Sequence, residues 1–126
     1  VNLYGCTFGD GVFVGPFVQI QKGVSVCART RVQSHAFICE LVSIGEDCFI
    51  PHGAKFINDP FSIGCPARGD RSQWKETVVV DRCSISTTAT IMPVTICDDV
   101  VVGAGAVVTK DITESGTYAG NPARRF

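Results

Sequence analysis

A bulky apolar residue recurs at every sixth position through the first half of the chain. Starting at Phe8, the series continues with Val14, Ile20, Val26, Val32, Ile38, Ile44, Ile50 and Phe56. Because 45% of all residues are apolar, such an unbroken series in one chosen phase would arise by chance in about one sequence in a thousand. A period of six fits neither an α-helix nor a hairpin, so this repeat constrains the fold more than any other feature.

A second series accompanies the first. Small or β-branched residues stand four positions after each of the first eight large ones: Val12, Val18, Val24, Thr30, Ala36, Val42, Cys48 and Ala54. The two series predict short strands that each direct one large and one small residue inward, with three strands forming a triangular coil of about 18 residues. Gly9, Gly15 and Gly45 directly follow a large residue, and we expect turns with unusual backbone angles there.

The repeat is interrupted once and then shifts. It stops at Ile57, resumes with Val79, Ile85 and Ile91, and slips by one residue to Ile96, Val102 and Val108. The interruption is rich in Gly, Pro and charge and contains the single tryptophan, Trp74, which is typical of a functional loop. We therefore predict one β-solenoid domain over residues 1–126, with a long excursion loop at about 58–77 and a C-terminal tail at 113–126.

Composition and charge exclude several functions. The net charge is −1, which argues against nucleic-acid binding, and no apolar run approaches the ~18 residues of a membrane span. The seven cysteines are an odd number and form no Cys-x-x-Cys pair, so we expect reduced thiols in a cytoplasmic protein and no metal site. Cys6 and Cys48 fall at small, inward-facing positions. The chain opens at Val1 in mid-pattern, and we expect residues before it.

The repeat also predicts where the polar candidates lie. Residues 18 apart stack vertically, which places His52 above Ser34, with His35 on the same corner. The same spacing stacks Asn58 on Glu40. We predict that the two histidines, Glu40 and Asn58 all lie close to the start of the loop. A histidine with a pKa near 6.5 can accept a proton from an attacking nucleophile at neutral pH.

Two C-terminal stretches carry a family resemblance. Residues 103–111, Gly-Ala-Gly-Ala-Val-Val-Thr-Lys-Asp, and residues 119–124, Ala-Gly-Asn-Pro-Ala-Arg, together with the repeat, resemble the hexapeptide-repeat acyltransferases. The resemblance implies that the solenoid is a left-handed β-helix, an exception to right-handed crossovers. Residues 2–6, 33–40 and 52–59 are similar to bacterial sugar-nucleotide N-acetyltransferases, which acetylate a nucleotide-linked amino sugar.

The resemblance further implies a homotrimer with active sites between subunits and acetyl-CoA along the C-terminal coils. The backbone of Gly103, Ala104 and Ala106 would face the pantetheine arm, because small residues allow a ligand to approach the main chain. Lys110 and Arg124 would lie near the CoA phosphates. Alternatively, the glycines turn corners and the two cations are solvated.

The resemblance and the repeat together give the acceptor site. We predict His52, His35 and Asn58 as catalytic residues; Asn58 matches a family position that contacts substrate near the reacting amine. Glu40, Asp59 and Trp74 are predicted to bind substrate. Asp59 would hold an ammonium or sugar hydroxyls, or would simply start the loop's first turn.

Some features depart from the family pattern. The turn 92–95 is one residue short, and we expect the coil to absorb the deletion unless it displaces the CoA groove. The alternatives are an O-acetyltransferase with a His base and a non-catalytic structural or binding solenoid. The γ-type carbonic anhydrases share this fold but use three histidines per zinc, whereas this chain has two, spaced 17 apart.

Overall fold

The computed structural model describes residues 1–126, and short strands make up nearly all of its regular structure. The first six strands are β1 Asn2–Leu3, β2 Thr7–Phe8, β3 Phe13–Val14, β4 Gln19–Ile20, β5 Ser25–Val26 and β6 Arg31–Val32. The next six are β7 Phe37–Ile38, β8 Val42–Ile44, β9 Phe49–Ile50, β10 Lys55–Phe56, β11 Thr77–Val79 and β12 Ser84–Ile85. The last six are β13 Thr90–Ile91, β14 Thr95–Ile96, β15 Val100–Val102, β16 Val107–Val108, β17 Gly116–Ala119 and β18 Arg124–Arg125. A single 3₁₀ turn spans Arg71–Gln73.

Three parallel sheets form the sides of a triangular solenoid. Sheet A runs β1-β4-β7-β10-β13-β16, sheet B runs β14-β11-β8-β5-β2, and sheet C runs β18-β17-β15-β12-β9-β6-β3. The chain passes from A to B to C and then returns to A one coil higher. Only the terminal pair β17–β18 is antiparallel. The predicted all-β fold, a left-handed parallel β-helix with one long excursion loop, is confirmed.

The register follows the predicted spacing. Ile20 pairs with Ile38, 18 positions later, whereas Ile91 pairs with Val108, 17 positions later. Ile91 and the next ladder residue, Ile96, are both fully buried at 0% exposure. The prediction that the coil absorbs the shortened turn 92–95 is therefore confirmed.

The interior consists of stacked large and small side chains, as the two series predict. Ile20, Ile38 and Ile50 have no exposed surface, and Ala36 and Ala54 fill the narrow positions between them. Because interiors of this kind are close-packed, truncating one ladder isoleucine to alanine would cost about 2–5 kcal/mol. Each coil therefore depends on its neighbours for stability.

The glycines that follow large residues serve a different purpose from the one predicted. Gly9, Gly15 and Gly45 do not have a left-handed φ, so the expectation of unusual backbone angles there was wrong. A Cβ on Gly9 would lie 2.6 Å from the backbone nitrogen of Ala28 in the next coil, and one on Gly45 would lie 2.8 Å from the carbonyl carbon of Val80. These positions are glycine because the neighbouring coil approaches closely.

The three corners of the triangle differ in regularity. We call them the A–B, B–C and C–A corners after the sheets they join. The A–B corner contains these departures from the repeat: spacings of five from Leu3 to Phe8 and from Ile91 to Ile96, a spacing of four from Val108 to Ile112, and the excursion loop between β10 and β11. These irregularities distinguish the A–B corner from the other two.

The C-terminal segment is part of the solenoid. Residues 113–126, expected to form a tail, contribute β17 and β18 to sheet C, where Tyr118 pairs with Val102 on one side and with Arg125 on the other. No helix in the structure has the length and apolar character needed to cross a lipid bilayer.

Candidate functional site

The candidate residues fall into two groups at opposite edges of sheet A. His35 and His52 lie at the C–A corner, before β7 and β10, whereas Glu40 and Asn58 lie at the A–B corner, after the same two strands. The six positions from His52 to Asn58 can span up to about 20 Å of extended chain. The predicted clustering of all four within one protomer was therefore wrong, because each strand carries the chain a full side of the triangle before the loop begins.

The excursion loop encloses a groove against the A–B corner, which we call the loop groove. Its volume is about 480 Å³, within the range of small-molecule sites. The apolar wall consists of Phe37, Cys39, Phe56, Ile57, Pro60, Phe61, Trp74 and Met92, and the polar groups are Gln21, Glu40, Asn58 and Asp59. The structure thus brings together four of the six residues predicted for the acceptor site.

An ion pair fastens the loop over the groove. The Arg71 guanidinium donates to the Glu40 carboxylate and lies over the Trp74 ring, 5.2 Å from its centroid. The Glu40 side chain is 19% exposed and the Arg71 side chain is 55% exposed. Arg71 therefore connects two predicted substrate-binding residues from opposite sides of the groove.

Asn58 is oriented by its own hydrogen bond. Its amide Nδ2 donates to the backbone oxygen of Glu40 at 3.1 Å, one coil below, as the 18-residue column predicted. This bond turns the amide so that Oδ1 remains available as an acceptor. An amide oxygen in this position can hold an attacking amine or hydroxyl without acting as a base.

Asp59 supports the loop. Its Oδ1 accepts from the Phe61 amide at 3.0 Å and its Oδ2 accepts from the Ala67 amide at 2.8 Å. Both carboxylate oxygens therefore stabilise the backbone turn, as expected of an aspartate that begins a loop. The carboxylate still lines the groove, so the structure gives Asp59 a loop-ordering role next to the predicted substrate contact.

The groove contains a thiol that stays neutral. Cys39 is buried at 3% exposure, and burial raises its thiol pKa to about 12. Because the thiolate is the nucleophilic form, Cys39 contributes an apolar wall and carries no acyl group at neutral pH.

The two histidines occupy adjacent coils of the C–A corner, as predicted. The His35 ring stacks on the Phe17 ring with centroids 5.1 Å apart, and its backbone has a left-handed φ of 65°. The His52 side chain is exposed and makes no hydrogen bond, while its backbone oxygen accepts from Thr87 and Thr88 in the coil above. His52 thus has a free imidazole, whereas His35 is held by an aromatic neighbour.

The predicted cofactor residues are divided between two corners and a sheet edge. Gly103, Ala104 and Ala106 lie above His52 on the C–A corner, whereas Lys110 lies at the A–B corner after β16 and Arg124 lies in β18 at the end of sheet C. The Gly105 amide donates to the Thr87 oxygen, and the Thr88 amide donates to the His52 oxygen, so Ala104 stands two coils above His52. At the usual strand spacing this is about 10 Å along the solenoid. The exposed backbone of Ala104 has neither its N–H nor its C=O paired within the chain, so both groups are open to a ligand.

The two neighbours of Ala104 have structural roles. A Cβ on Gly103 would lie 3.0 Å from the Cβ of Ala119, so a glycine at this position allows strand β17 to pack closely against the coil. Ala106 is buried at 1% exposure in the small-residue ladder, and its amide donates to the Gly103 oxygen. Lys110 and Arg124 are exposed and form no ion pair. Of the predicted cofactor residues, Ala104, Lys110 and Arg124 are therefore the ones with free groups.

Sequence reasoning missed Arg71, Phe61 and Met92. The loop has no repeat register, so spacing could not place Arg71 or Phe61 against the coil. Met92 did have a signal, because it stands in the turn that is one residue short and that tightens the chain onto the groove. No group of three or more His, Cys, Asp or Glu is arranged to hold a metal ion.

Together, the repeat and the fold define the class: the chain is a left-handed β-helix built from six-residue repeats. Residues 81–110 match the family model described as the hexapeptide repeat of succinyl-transferase. Among solved structures it is similar to a galactoside acetyltransferase in complex with coenzyme A, with 26% identity, a TM-score of 0.81, and coverage of 95% of this chain and 63% of that one. It also shares its fold with PerB from Caulobacter crescentus in complex with CoA and GDP-perosamine, with 22% identity, a TM-score of 0.56, and coverage of 97% and 54%.

Among curated sequences, the bifunctional protein GlmU of Carboxydothermus hydrogenoformans is 32% identical over 116 residues. The alignment covers 84% of this chain and 25% of that protein. The chain thus spans about a quarter of the length of this relative.

Proposed function

We propose that the protein is an acetyl-CoA-dependent acetyltransferase and that its acceptor is the amine of a nucleotide-linked amino sugar. The observation that carries the proposal is the loop groove, a concave site at the A–B corner that contains Asn58 and Glu40. At the C–A corner, His52 lies two coils below Ala104, whose backbone N–H and C=O are unpaired. The similarity to a galactoside acetyltransferase bound to coenzyme A supports the reaction class. Because acetyl-CoA is a metabolite of the cytoplasm, we place the reaction there.

A homotrimer would join the two groups of residues. In a closed three-fold ring each interface is heterologous, so one surface of a protomer meets a different surface of the next. The C–A corner of one protomer would then face the A–B corner of its neighbour. This arrangement would set His52 and the acetyl-CoA site of one subunit beside the loop groove of another, which a single protomer does not achieve.

The residues then have distinct tasks. The Asn58 amide oxygen and the Glu40 carboxylate hold the acceptor amine, and the unpaired Ala104 backbone groups bind the amide-rich pantetheine arm. The amine nitrogen attacks the thioester carbonyl carbon, the carbon–sulfur bond breaks, and the CoA thiolate leaves. The His52 imidazole accepts the ammonium proton and returns it to the thiolate sulfur. Aligning amine and thioester supplies much of the acceleration, and the base adds about 10²–10⁴-fold.

Sugar O-acetylation is the second candidate. It is favoured by the free imidazole of His52, because a hydroxyl must lose its proton during attack whereas a neutral amine already has a free lone pair. If the acceptor is a hydroxyl, His52→Ala abolishes transfer nearly completely. If the acceptor is an amine, some activity remains and rises with pH.

The test is steady-state kinetics of CoA release with acetyl-CoA and a panel of nucleotide-linked amino sugars. We expect His52→Ala to lower kcat/KM by about 10²-fold or more and Asn58→Ala to lower it by about 10-fold to 10²-fold, with the assembly intact by sedimentation. Ser34→Ala, one coil below His52, is the matched control and should keep the wild-type rate.

Wild-type rates in both variants would remove the two residues from the mechanism. A thermal-shift titration with acetyl-CoA separates the enzyme from a non-catalytic solenoid, because a ligand that binds only the native state raises Tm. The absence of any shift at millimolar acetyl-CoA would contradict the proposal.

A further inference from the structure

A second depression lies directly below the loop groove on the A–B side of the solenoid. We call it the lower pocket; it is lined by Tyr4, Gln19, Gln21, Lys22 and Glu40 and has a volume of about 360 Å³. Gln21 and Glu40 line both depressions. The two cavities therefore adjoin each other along the corner.

The two compartments differ in chemistry. The loop groove has mainly aromatic and aliphatic walls, whereas the lower pocket is lined by two amides, a phenol, a carboxylate and an ammonium group. A ligand that fills both would have one part with apolar faces and one part rich in hydrogen-bonding groups.

The lower pocket is prepared for an anion. Glu40, its only acid, is already paired with Arg71, while Lys22 forms no ion pair and its side chain forms no hydrogen bond. The Gln21 Oε1 accepts from the Glu40 amide at 3.1 Å, which turns the Gln21 Nε2 donors away from that bond. The pocket thus presents an uncompensated cation together with amide and phenol donors, a set suited to phosphate oxygens.

We infer that the lower pocket binds the diphosphate of a nucleoside-diphosphate-linked acceptor, with Lys22 as the specificity-determining residue. This inference rests on the proposed function, because it assigns the sugar to the adjoining loop groove. CoA also contains a diphosphate, but its predicted cation, Lys110, stands four coils above Lys22 in the same column, about 19 Å away at the usual strand spacing. The walls that the lower pocket shares with the loop groove, Gln21 and Glu40, therefore assign it to the acceptor.

The first test is a calorimetric titration of the full chain with UDP in low salt. We expect Lys22→Met to raise the Kd for UDP roughly tenfold, the effect of losing one charge-assisted bond, and Lys22→Arg to restore most of the affinity. Arg68→Met removes an equal charge from an exposed loop position outside both cavities and should leave the Kd unchanged. An unchanged Kd for UDP in Lys22→Met would overturn the inference. Displacement of bound UDP by adenosine 3′,5′-bisphosphate, a fragment of CoA, would also overturn it, because Lys22 would then belong to the CoA site.

The second test separates this inference from the proposed function. With acetyl-CoA saturating, Lys22→Met should raise KM for a nucleotide-linked amino sugar about tenfold and leave KM for the unlinked amino sugar unchanged. Wild-type transfer with no Lys22 effect on either KM would refute the lower pocket while keeping the acetyltransferase. Lys22-dependent UDP binding without any acetyl transfer would refute the proposed reaction while keeping the pocket.

Discussion

The B–C corner keeps the repeat and the A–B corner breaks it. At the B–C corner one residue per coil has a left-handed φ, in the vertical order Gly11, Arg29, Asp47, Arg82 and Asp99. Charges alternate along this column: Arg29 donates to Asp47 at 2.8 Å and Arg82 donates to Asp99 at 2.9 Å. The corner is a ladder of exposed ion pairs, and it holds no cavity comparable to the loop groove.

The A–B corner gives up this regularity and gains a site. Its turns are short at the first and fifth coils, and the loop interrupts the fourth. The shortened turn brings Met92 into the groove wall, and the loop supplies Arg71 and Trp74. The comparison teaches that in this protein the turns that violate the repeat form a concave groove, whereas the regular turns of the B–C corner form a ladder of ion pairs.

The largest expected effect follows from crowding at the regular corner. Gly45→Ala would place a Cβ 2.3 Å from the Asp81 Oδ1 and 2.8 Å from the Val80 carbonyl carbon. Separating the two coils should lower the free energy of unfolding by about 3 kcal/mol, measured by urea denaturation. At temperatures where the variant is folded, kcat/KM should equal that of the wild type.

Ser43→Ala provides the control for this change, because Ser43 lies in the same strand with an exposed, outward side chain. It should alter the free energy of unfolding by less than about 0.5 kcal/mol. If Gly45→Ala is as stable as Ser43→Ala, the spacing of the coils is adjustable and the regular corner is not the rigid part of the molecule.

The sequence alone predicts the regular part of the fold and little of the site. Every large ladder residue from Ile20 to Phe56 is buried as predicted, because the repeat directly encodes which side chains point inward. The same arithmetic could not place Arg71 against Glu40, since loop residues follow no register. It also misjudged the distance from His52 to Asn58, because a spacing of six residues corresponds to one full side of the triangle.

A smaller effect distinguishes the two corners by function. Arg71→Leu removes the cation that pairs with Glu40 and lies over Trp74. The loop then loses the contact that holds it over the groove, and Glu40 loses the partner that fixes the position of its carboxylate. KM for the acceptor should rise about tenfold, equivalent to about 1.4 kcal/mol, with little change in Tm.

The matched substitution is Arg82→Leu at the B–C corner, which removes pairs with Asp98 and Asp99. It should lower Tm slightly and leave KM unchanged. Equal effects of the two substitutions on KM would show that the loop groove gains nothing from its ion pair, and the contrast between the corners would fail.

The smallest effect is the acid response of the charge ladder. Hydrogen bonding to Arg29 lowers the pKa of Asp47 below its usual 3.8, and hydrogen bonding to Arg82 lowers the pKa of Asp99 in the same way. A folded-state pKa below the unfolded value means that these carboxylates stabilise the fold at pH above 3.8 and that the contribution is lost as the pH falls below it. Asp47→Asn should therefore lower Tm slightly at pH 6, by less than about 2 °C because the pair is exposed, and the difference from wild type should shrink steadily as the pH falls below 3.8. Salt at 0.5 M should shrink the pH 6 difference by screening.

Asp70→Asn in the loop tests the origin of the effect, because a hydrogen bond from Ser72, with no arginine involved, lowers the pKa of Asp70. Its difference from wild type should also shrink in acid but respond less to salt. A Tm difference for Asp47→Asn that stays constant as the pH falls below 3.8 would assign the ladder a packing role in place of an electrostatic one.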